Sequence, residues 1–457
     1  MVTRPHSPPL DPAADAAALL RRMGFGILVV LLPLAAFFSR RATVVLAPVG
    51  VSLLALSSVI EAPPRGVFRF LGELFKSPAG VAGILLLLWS ALSVMWSPDR
   101  GEAGDKLFDM IQAGAVALIG VTALPERVRA SNLYLTGIGV AASALLALAL
   151  MATRSRDMLL NETAVFERGM TGLAVIFWPA VAWLESRRRR GLSVALGLVT
   201  ALTLGVSQLW LPLGGFAVGV VIYALTFWRP VLGNRIVAWG IAGGLIAAPA
   251  LVMVLSPLMQ LLFAEGNPLR DGAMAWQSLI LTVPGSFVIG HGLDTVLPAR
   301  LSGAVPVQVP NGFPFEIWFE LGAIGAGLAA VVLYFIVRGL GDRASGPAGS
   351  ALLVPGMTAA VACACMLSCL GAGVAFPWWI ITLAVVVITF SAITRGQFRT
   401  HRPKARWPLP VAAEKLGLHT GAKMAENPTH KDMATNLTRA VASARALTGA
   451  GFPAKGG

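Results

Sequence analysis

Residues 313–337 read FPFEIWFELGAIGAGLAAVVLYFIV, an apolar run with two glutamates near its start. About 20 apolar residues cross the hydrocarbon core of a bilayer, so this run predicts a membrane-spanning helix. The interval before it, residues 256–312, is polar, whereas the other apolar runs are joined by shorter loops. In a chain that is otherwise embedded in lipid, a long polar loop is the place where we expect function.

The rest of the chain repeats this apolar pattern. Of its 457 residues, 56% are hydrophobic and only 13% are charged, against about 25% charged residues in soluble proteins. The composition therefore predicts an all-α polytopic membrane protein with about 12 transmembrane helices. The twelve apolar segments are 23–38, 42–60, 79–97, 106–124, 132–152, 170–185, 191–206, 209–228, 236–255, 313–337, 350–371 and 375–394.

The basic residues predict how the chain is oriented. If both ends are cytoplasmic, 27 of the 36 Lys and Arg residues fall on the cytoplasmic side, as the positive-inside rule requires. This places residues 1–22 in the cytoplasm as an amino-terminal segment, and 395–457 there as a basic, mostly disordered tail. The transmembrane domain is 23–394, and its large loop 256–312 is on the outer face. The net charge of +14 thus indicates topology and attraction to membrane lipid, not nucleic acid.

The large loop has two recognisable local patterns. Leu269, Ala273, Trp276 and Ile280 recur at helical spacing and predict a short amphipathic helix on the membrane surface. The tripeptide 290–292, Gly-His-Gly, predicts a tight turn whose backbone N–H groups can approach a ligand.

Charged residues around this loop are candidates for chemistry. Arginine binds phosphate oxygens through two parallel hydrogen bonds, so Arg168, Arg270 and Arg300 are candidates for holding a pyrophosphate. Glu316 and Glu320 lie one helical turn apart, and a carboxylate can position or deprotonate a sugar hydroxyl. The structural alternatives stay open: Glu316 and Glu320 as solvated or purely structural groups, and His291 as an ordinary surface histidine.

Metal binding is not expected. Cys363, Cys365 and Cys369 share one apolar segment and have no partner ligands at zinc spacing. The loop also contains no Asp-x-Asp pair. We therefore expect neither a metal nor a cofactor.

The order of these motifs resembles the O-antigen ligase and O-antigen polymerase (Wzy-type) superfamily of bacterial inner membranes. The matching residues are Arg270, Trp276, Pro284, Gly290, Gly292 and the run Glu320-Leu-Gly322-Ala-Ile-Gly325. Two further stretches, WSPD at 96–99 and the run from Phe166 to Ala180, are similar to alphaproteobacterial members. The chain departs from the family at Asn311 and Gly312, which stand where the family has a His-Asn pair.

The resemblance implies a metal-independent glycosyltransferase of the C-type fold. The donor is a glycan on undecaprenyl pyrophosphate in the periplasmic leaflet, and the acceptor is a second glycan or the lipid A-core. By this resemblance Arg270, Arg168, Arg300, Gly290, Gly292 and Trp276 bind the donor. Glu316, Glu320, Asn311 and His291 face the acceptor. The sequence does not separate ligase from polymerase, and it does not predict the oligomeric state.

Two other functions remain open from the sequence. A transporter or flippase for lipid-linked glycans has the same topology, but it favours polar or helix-breaking residues at mid-membrane. A catalytically inactive relative that acts as a scaffold is the other, because Asn311 replaces the family histidine.

Overall fold

The computed structural model describes most of the chain up to Gly396. The described ranges are 12–39, 41–61, 67–126, 128–153, 163–282, 286–306, 308–309, 312–342, 351–371 and 376–396. The predicted basic tail, Pro284 and Asn311 lie outside these ranges.

The described residues form a bundle of helices. Its first half contains α1 (Pro12–Ala35), α2 (Ala42–Glu61), α3 (Val67–Lys76), α4 (Pro78–Ser93), α5 (Arg100–Thr122), α6 (Ala130–Thr153), α7 (Thr163–Ser186), α8 (Arg190–Val206) and α9 (Trp210–Trp228). The second half contains α10 (Pro230–Ile246), α11 (Ala248–Leu262), α12 (Pro268–Thr282), α13 (Ser286–Ile289), α14 (Val296–Leu301), α15 (Phe313–Asp342), α16 (Val354–Leu370) and α17 (Pro377–Gly396).

Eight described helices are long and apolar enough to cross a membrane, or nine if α10 and α11 count as one bent span. The protein is therefore a multi-pass membrane protein. The predicted segments 191–206 and 350–371 correspond to the shorter apolar helices α8 and α16. A helix is confirmed at the predicted place in the large loop, as α12, and its Trp276 is buried against Phe315 of α15.

The predicted segment 236–255 is not one straight helix. The chain turns by 84° between α10 and α11, because Pro249 has no N–H to donate to the carbonyl of Leu245. The indole Nε1 of Trp318 donates to that carbonyl at 2.8 Å instead. The bend therefore ends α10 near the large loop. The Leu245 carbonyl, which the bend leaves without a helical donor, is bonded by a side chain of α15.

A second irregularity lies in α1. Residues Ile27–Leu31 form a π-helical turn in which the N–H of Leu32 bonds the carbonyl of Ile27. Pro33 follows and cannot donate a backbone hydrogen bond, which accounts for the local rearrangement. Here α6 approaches closely, since a Cβ on Gly139 would lie 1.8 Å from the carbonyl oxygen of Val29.

The centre of the bundle is α7. Of its most apolar 18-residue window, 78% of the residues are buried, against 17% to 61% in the other spans. Trp178 and Trp183 of α7 are at most 2% exposed. Outer helices instead expose apolar side chains such as Leu88 and Val221, as expected for surfaces that contact lipid.

The bundle has two ends with different contents. We call one the cavity end: α5, α7, α15 and α17 begin there, and α4 and α16 end there. We call the other the capped end, where arginine side chains donate hydrogen bonds to backbone carbonyls at the carboxyl termini of helices. There Arg187 donates to the carbonyl of Gly396 at 3.0 Å, and Arg395 donates to the carbonyl of Leu124.

Candidate functional site

The site is built on a break in α15. Gly322 has φ 67° and ψ −164° inside the helix, a backbone conformation that favours glycine. The break takes preceding carbonyls out of the helical hydrogen-bond pattern. Donors from other elements bond three of them: His291 N–H to Phe319 at 2.9 Å, Gly292 N–H to Glu320 at 3.0 Å, and Trp89 Nε1 to Leu321 at 2.9 Å.

The two glycine motifs, the turn 290–292 and the helix break at Gly322, therefore pack directly against each other. Gly290 has φ 85°, and a Cβ on it would lie 2.2 Å from the carbonyl oxygen of Glu320. A Cβ on Gly322 would lie 2.5 Å from the carbonyl oxygen of Val288. The predicted turn at 290–292 brings its N–H groups close to protein carbonyls, and it thereby fixes the loop against the helix that carries Glu320.

The WSPD stretch docks on the same loop. Ser97 Oγ donates to the carbonyl of Leu293 at 2.9 Å, and a Cβ on Gly292 would lie 2.7 Å from Ser97 Cα. Asp99 then caps α5: its Oδ1 accepts from Gly101 N–H at 2.9 Å. Three stretches far apart in sequence thus meet at the cavity end and set the first turns of α5.

An ion cluster occupies the space between α5, the loop and α15. Lys106 Nζ lies 2.8 Å from Glu320 Oε1, 2.9 Å from Glu320 Oε2 and 3.3 Å from Asp294 Oδ1. The exposed fractions of these side chains are 10% for Lys106, 5% for Glu320 and 21% for Asp294. Glu320 is therefore paired inside the protein rather than placed in lipid, where an isolated charge is costly.

A second cation and carboxylate lie beside this cluster. Glu316 is 4% exposed, and its charge acts on both Arg300 and Lys106. Arg300 donates through NH2 to the carbonyl of Val309 at 2.7 Å. Burial lowers the pKa of the Arg300 guanidinium and Glu316 raises it, with a net lowering. A guanidinium starts from so high a pKa that Arg300 remains a cation at neutral pH.

These charges face one cavity of about 440 Å³. Among the described residues, six carboxylates and two cations line it, which gives a formal charge of −4. The carboxylates are Glu102, Asp105, Asp109, Asp294, Glu316 and Glu320, and the cations are Lys106 and Arg300. Phe376, Pro377 and Ile380 form an apolar wall. Such a cavity offers acceptors for sugar hydroxyls and a small cationic area for phosphate oxygens.

His291 lies next to this cavity rather than in its wall. Its ring stacks on Phe319 at 4.1 Å, and its Nδ1 is 3.0 Å from the Phe319 carbonyl oxygen. Because a carbonyl only accepts, we assign the proton to Nδ1, which leaves Nε2 as an acceptor in the neutral ring. The imidazole lines a neighbouring cavity of about 400 Å³ with Leu279, Phe287 and Pro298.

The other predicted donor-binding residues are spread more widely. Arg270 donates to the carbonyl of Phe263 at 3.1 Å and lies 3.5 Å from Glu265 Oε1. Trp276 packs edge-on against Phe315 at 5.5 Å. Neither Arg270 nor Trp276 lines the charged cavity.

Arg168 also does not line the cavity. Its guanidinium lies 5.6 Å from the ring centre of Trp378, which follows the wall residue Pro377 in α17. The structure thus brings together Glu316, Glu320 and Arg300, and it adds Lys106 and Asp294, which the sequence did not single out. Asp294 has a φ of 60°, and Lys106 lies where an apolar segment begins, a costly position for an unpaired lysine.

No protein-family model, curated protein or solved structure matches the chain. The residues of this cavity and the motif resemblance are therefore the two indications of function.

Proposed function

We propose that the protein is a glycosyltransferase of the bacterial inner membrane, which transfers or polymerises a glycan carried on undecaprenyl pyrophosphate. The support is twofold. The chain resembles O-antigen ligases and polymerases in its motif order, and the motif stretches 96–99, 290–292 and 320–325 meet beside a charged cavity.

In this proposal the cavity end faces the periplasm. The distribution of Lys and Arg supports this orientation, because the segments predicted to be cytoplasmic, with both termini included, hold 27 of the 36. All twelve predicted segments then cross the membrane, with α10 and α11 together as a bent span. Both chain termini are cytoplasmic.

The proposed reaction is a substitution at the anomeric carbon of the donor sugar. The acceptor hydroxyl forms the new C–O bond, while the bond from the anomeric carbon to the pyrophosphate oxygen breaks. Undecaprenyl pyrophosphate leaves with the bonding electrons. Glu316 or Glu320 accepts the hydroxyl proton, and Arg300 stabilises the charge that develops on the leaving group.

One observation carries the proposal more than the others. Glu320, the glutamate of the motif in α15, is buried, ion-paired and part of a cavity wall. A glutamate that only marked the membrane interface would be solvated, whereas buried charges with paired partners cluster at functional sites.

The test is release of undecaprenyl pyrophosphate from a lipid-linked glycan by purified protein in lipid nanodiscs. We expect release by the wild type, and a loss of at least about tenfold in Arg300→Gln because a charge-assisted contact is removed. Arg235→Gln, an exposed arginine at the capped end, serves as the matched control. A wild type that is inert with every donor offered contradicts the proposal and leaves the scaffold function.

A transporter is the second candidate, because two features favour it. The break at Gly322 and the 84° bend between α10 and α11 are discontinuities of the kind found in transporter helices. Proteoliposomes with fluorescent lipid-linked glycan in the inner leaflet separate the two functions. Movement of intact donor across the bilayer, without release of pyrophosphate, supports transport and contradicts the transferase.

A further inference from the structure

Among the residues that the structure describes, the charged cavity has more carboxylates than cations, and its most buried cation, Lys106, is paired with carboxylates. A lysine ammonium has three N–H donors. Lys106 Nζ directs hydrogen bonds to both oxygens of Glu320 at 2.8 and 2.9 Å, with Asp294 Oδ1 3.3 Å away. As long as this pairing holds, two of its donors are committed to Glu320 and its charge is shared with Asp294, which leaves Lys106 poorly placed to bind a phosphate oxygen.

Glu320 is engaged in the same way. Both of its carboxylate oxygens face the Lys106 ammonium, and its side chain is 5% exposed. A general base must reach the proton it accepts, at a heavy-atom distance of about 2.6–3.2 Å. The Lys106–Glu320 pair therefore holds a cation and a base in an inactive arrangement, and one event that separates them would make both available.

A pyrophosphate is the ligand suited to separate them. It has more negative charge than one carboxylate and several acceptor oxygens, so it competes well for an ammonium. Arg300, on the same cavity wall, supplies a second cation for it. Lysine suits this exchange because its flexible stem lets Nζ move from one partner to another, unlike the planar fork of arginine.

We propose that the donor pyrophosphate takes Lys106 from Glu320, and that the released Glu320 carboxylate then accepts the proton of the acceptor hydroxyl. This inference rests on the proposed transferase function, and it names a second phosphate-binding residue and an order of binding. Donor binds first, because Glu320 becomes a base only after Lys106 has moved. The bonds that form and break are those of the substitution described above, with the proton ending on Glu320.

The exchange predicts opposite effects of one substitution on binding and on catalysis. Glu320→Gln keeps the size of the side chain but removes the charge that competes for Lys106. We therefore expect undecaprenyl pyrophosphate to bind the variant about tenfold more tightly than the wild type, while glycan transfer is lost. A purely structural role for Glu320 predicts weaker binding, and a base that never paired with Lys106 predicts unchanged binding.

The experiment measures binding of undecaprenyl pyrophosphate to protein in nanodiscs by microscale thermophoresis. The double variant Lys106→Gln/Glu320→Gln removes both charges, so neither is left buried without its partner. We expect it to bind the pyrophosphate at least about tenfold more weakly than Glu320→Gln. Lys76→Gln and Glu185→Gln, outside the cavity, are the controls and should bind as the wild type does.

The outcomes separate this inference from the function on which it rests. Transfer by the wild type without tighter pyrophosphate binding in Glu320→Gln overturns the exchange and leaves the transferase in place. Tighter binding in a protein that transfers no glycan supports the Lys106 contact but removes the transferase and, with it, the role of Glu320 as base. Equal binding by the single and double variants overturns the assignment of Lys106.

Discussion

The two ends of the bundle hold their charges in different ways. At the cavity end, Lys106 pairs with the side chains of Glu320 and Asp294 inside a cavity. At the capped end, Arg187 and Arg395 donate to main-chain carbonyls where α17 and α5 finish. A positive charge at a helix carboxyl terminus complements the helix dipole and satisfies an acceptor that the helix itself leaves open.

This difference shows that the number of basic residues does not locate the site. The segments that join helices at the capped end contain 13 Lys and Arg residues, against 9 in those at the cavity end, yet Arg187 there bonds a main-chain carbonyl and lies over the ring of Trp183 at 4.3 Å. The cavity end is poorer in basic residues, and two of them line a cavity. We expect substitutions at the two ends to separate catalysis from stability.

The largest difference should come from two glutamates. Glu320→Gln removes the proposed base and should lower glycan transfer by roughly 10²- to 10⁴-fold, the usual contribution of general-base catalysis. Glu185→Gln, near Arg190 at the capped end with an Oε2 to Nε distance of 3.6 Å, should change transfer by less than about twofold because Glu185 does not line the charged cavity and its loss removes no proposed acid–base group. Rates from purified, folded protein test this, and equal losses at the two positions would remove the distinction between the ends.

The next largest difference should come from adding a methyl group where the turn 290–292 packs against α15. Gly290 and Gly303 have similar φ values of 85° and 77°, but only at Gly290 would a Cβ meet backbone, 2.2 Å from Glu320 O. Gly303→Ala should cost about 1–2 kcal/mol of stability for its left-handed backbone, and Gly290→Ala should cost at least about 2 kcal/mol more. Tryptophan fluorescence during thermal unfolding measures the stability of both variants. Equal unfolding temperatures of Gly290→Ala and Gly303→Ala would show that the turn 290–292 is not tightly packed against α15.

A smaller effect, on stability alone, is expected at the capped end. Arg187→Ala removes a hydrogen bond to the Gly396 carbonyl and a stack on Trp183, which together contribute about 1–3 kcal/mol. The variant should unfold at a lower temperature and keep its transfer rate per folded molecule. A lower rate in fully folded protein would mean that the capped end takes part in turnover.

We expect only a small effect on transfer at Arg270. Its guanidinium bonds the Phe263 carbonyl and lies beside Glu265, and it does not line the charged cavity. Arg270→Ala should therefore reduce pyrophosphate release much less than Arg300→Gln does. A complete loss of release would instead return Arg270 to the donor site, as the motif resemblance implies.

Much of the fold could be read from the sequence because lipid demands long apolar runs. Each of the twelve predicted segments overlaps a helix. The bend in 236–255 could not be placed with certainty, because proline in a membrane helix is tolerated where neighbours satisfy the backbone. Here Trp318, from a distant helix, supplies that donor.

The site was predictable only in part, since its residues come from separate stretches. The glycine pattern identified the turn 290–292 and Gly322, but the sequence did not show that this turn packs against α15 at Gly322. Lys106 and Glu320 are 214 positions apart, and the docking of WSPD on the loop holds the start of α5 close to α15. Local patterns identify a helix, whereas an ion pair across the bundle depends on tertiary packing.

The most direct test of the central claim is whether the charged cavity opens to the periplasm and holds the lipid-linked donor. In a chain with Cys363, Cys365 and Cys369 replaced by alanine, a single cysteine is introduced as Leu297→Cys, in the cavity wall, or as Arg338→Cys, at the capped end. A membrane-impermeant maleimide is then added to spheroplasts, with and without the lipid-linked glycan. We expect the Leu297→Cys protein to be labelled from outside and to be protected by the donor, whereas the Arg338→Cys protein should react only after the membrane is permeabilised. Labelling of the Arg338→Cys protein from outside, or no protection of the Leu297→Cys protein by donor, would contradict this claim.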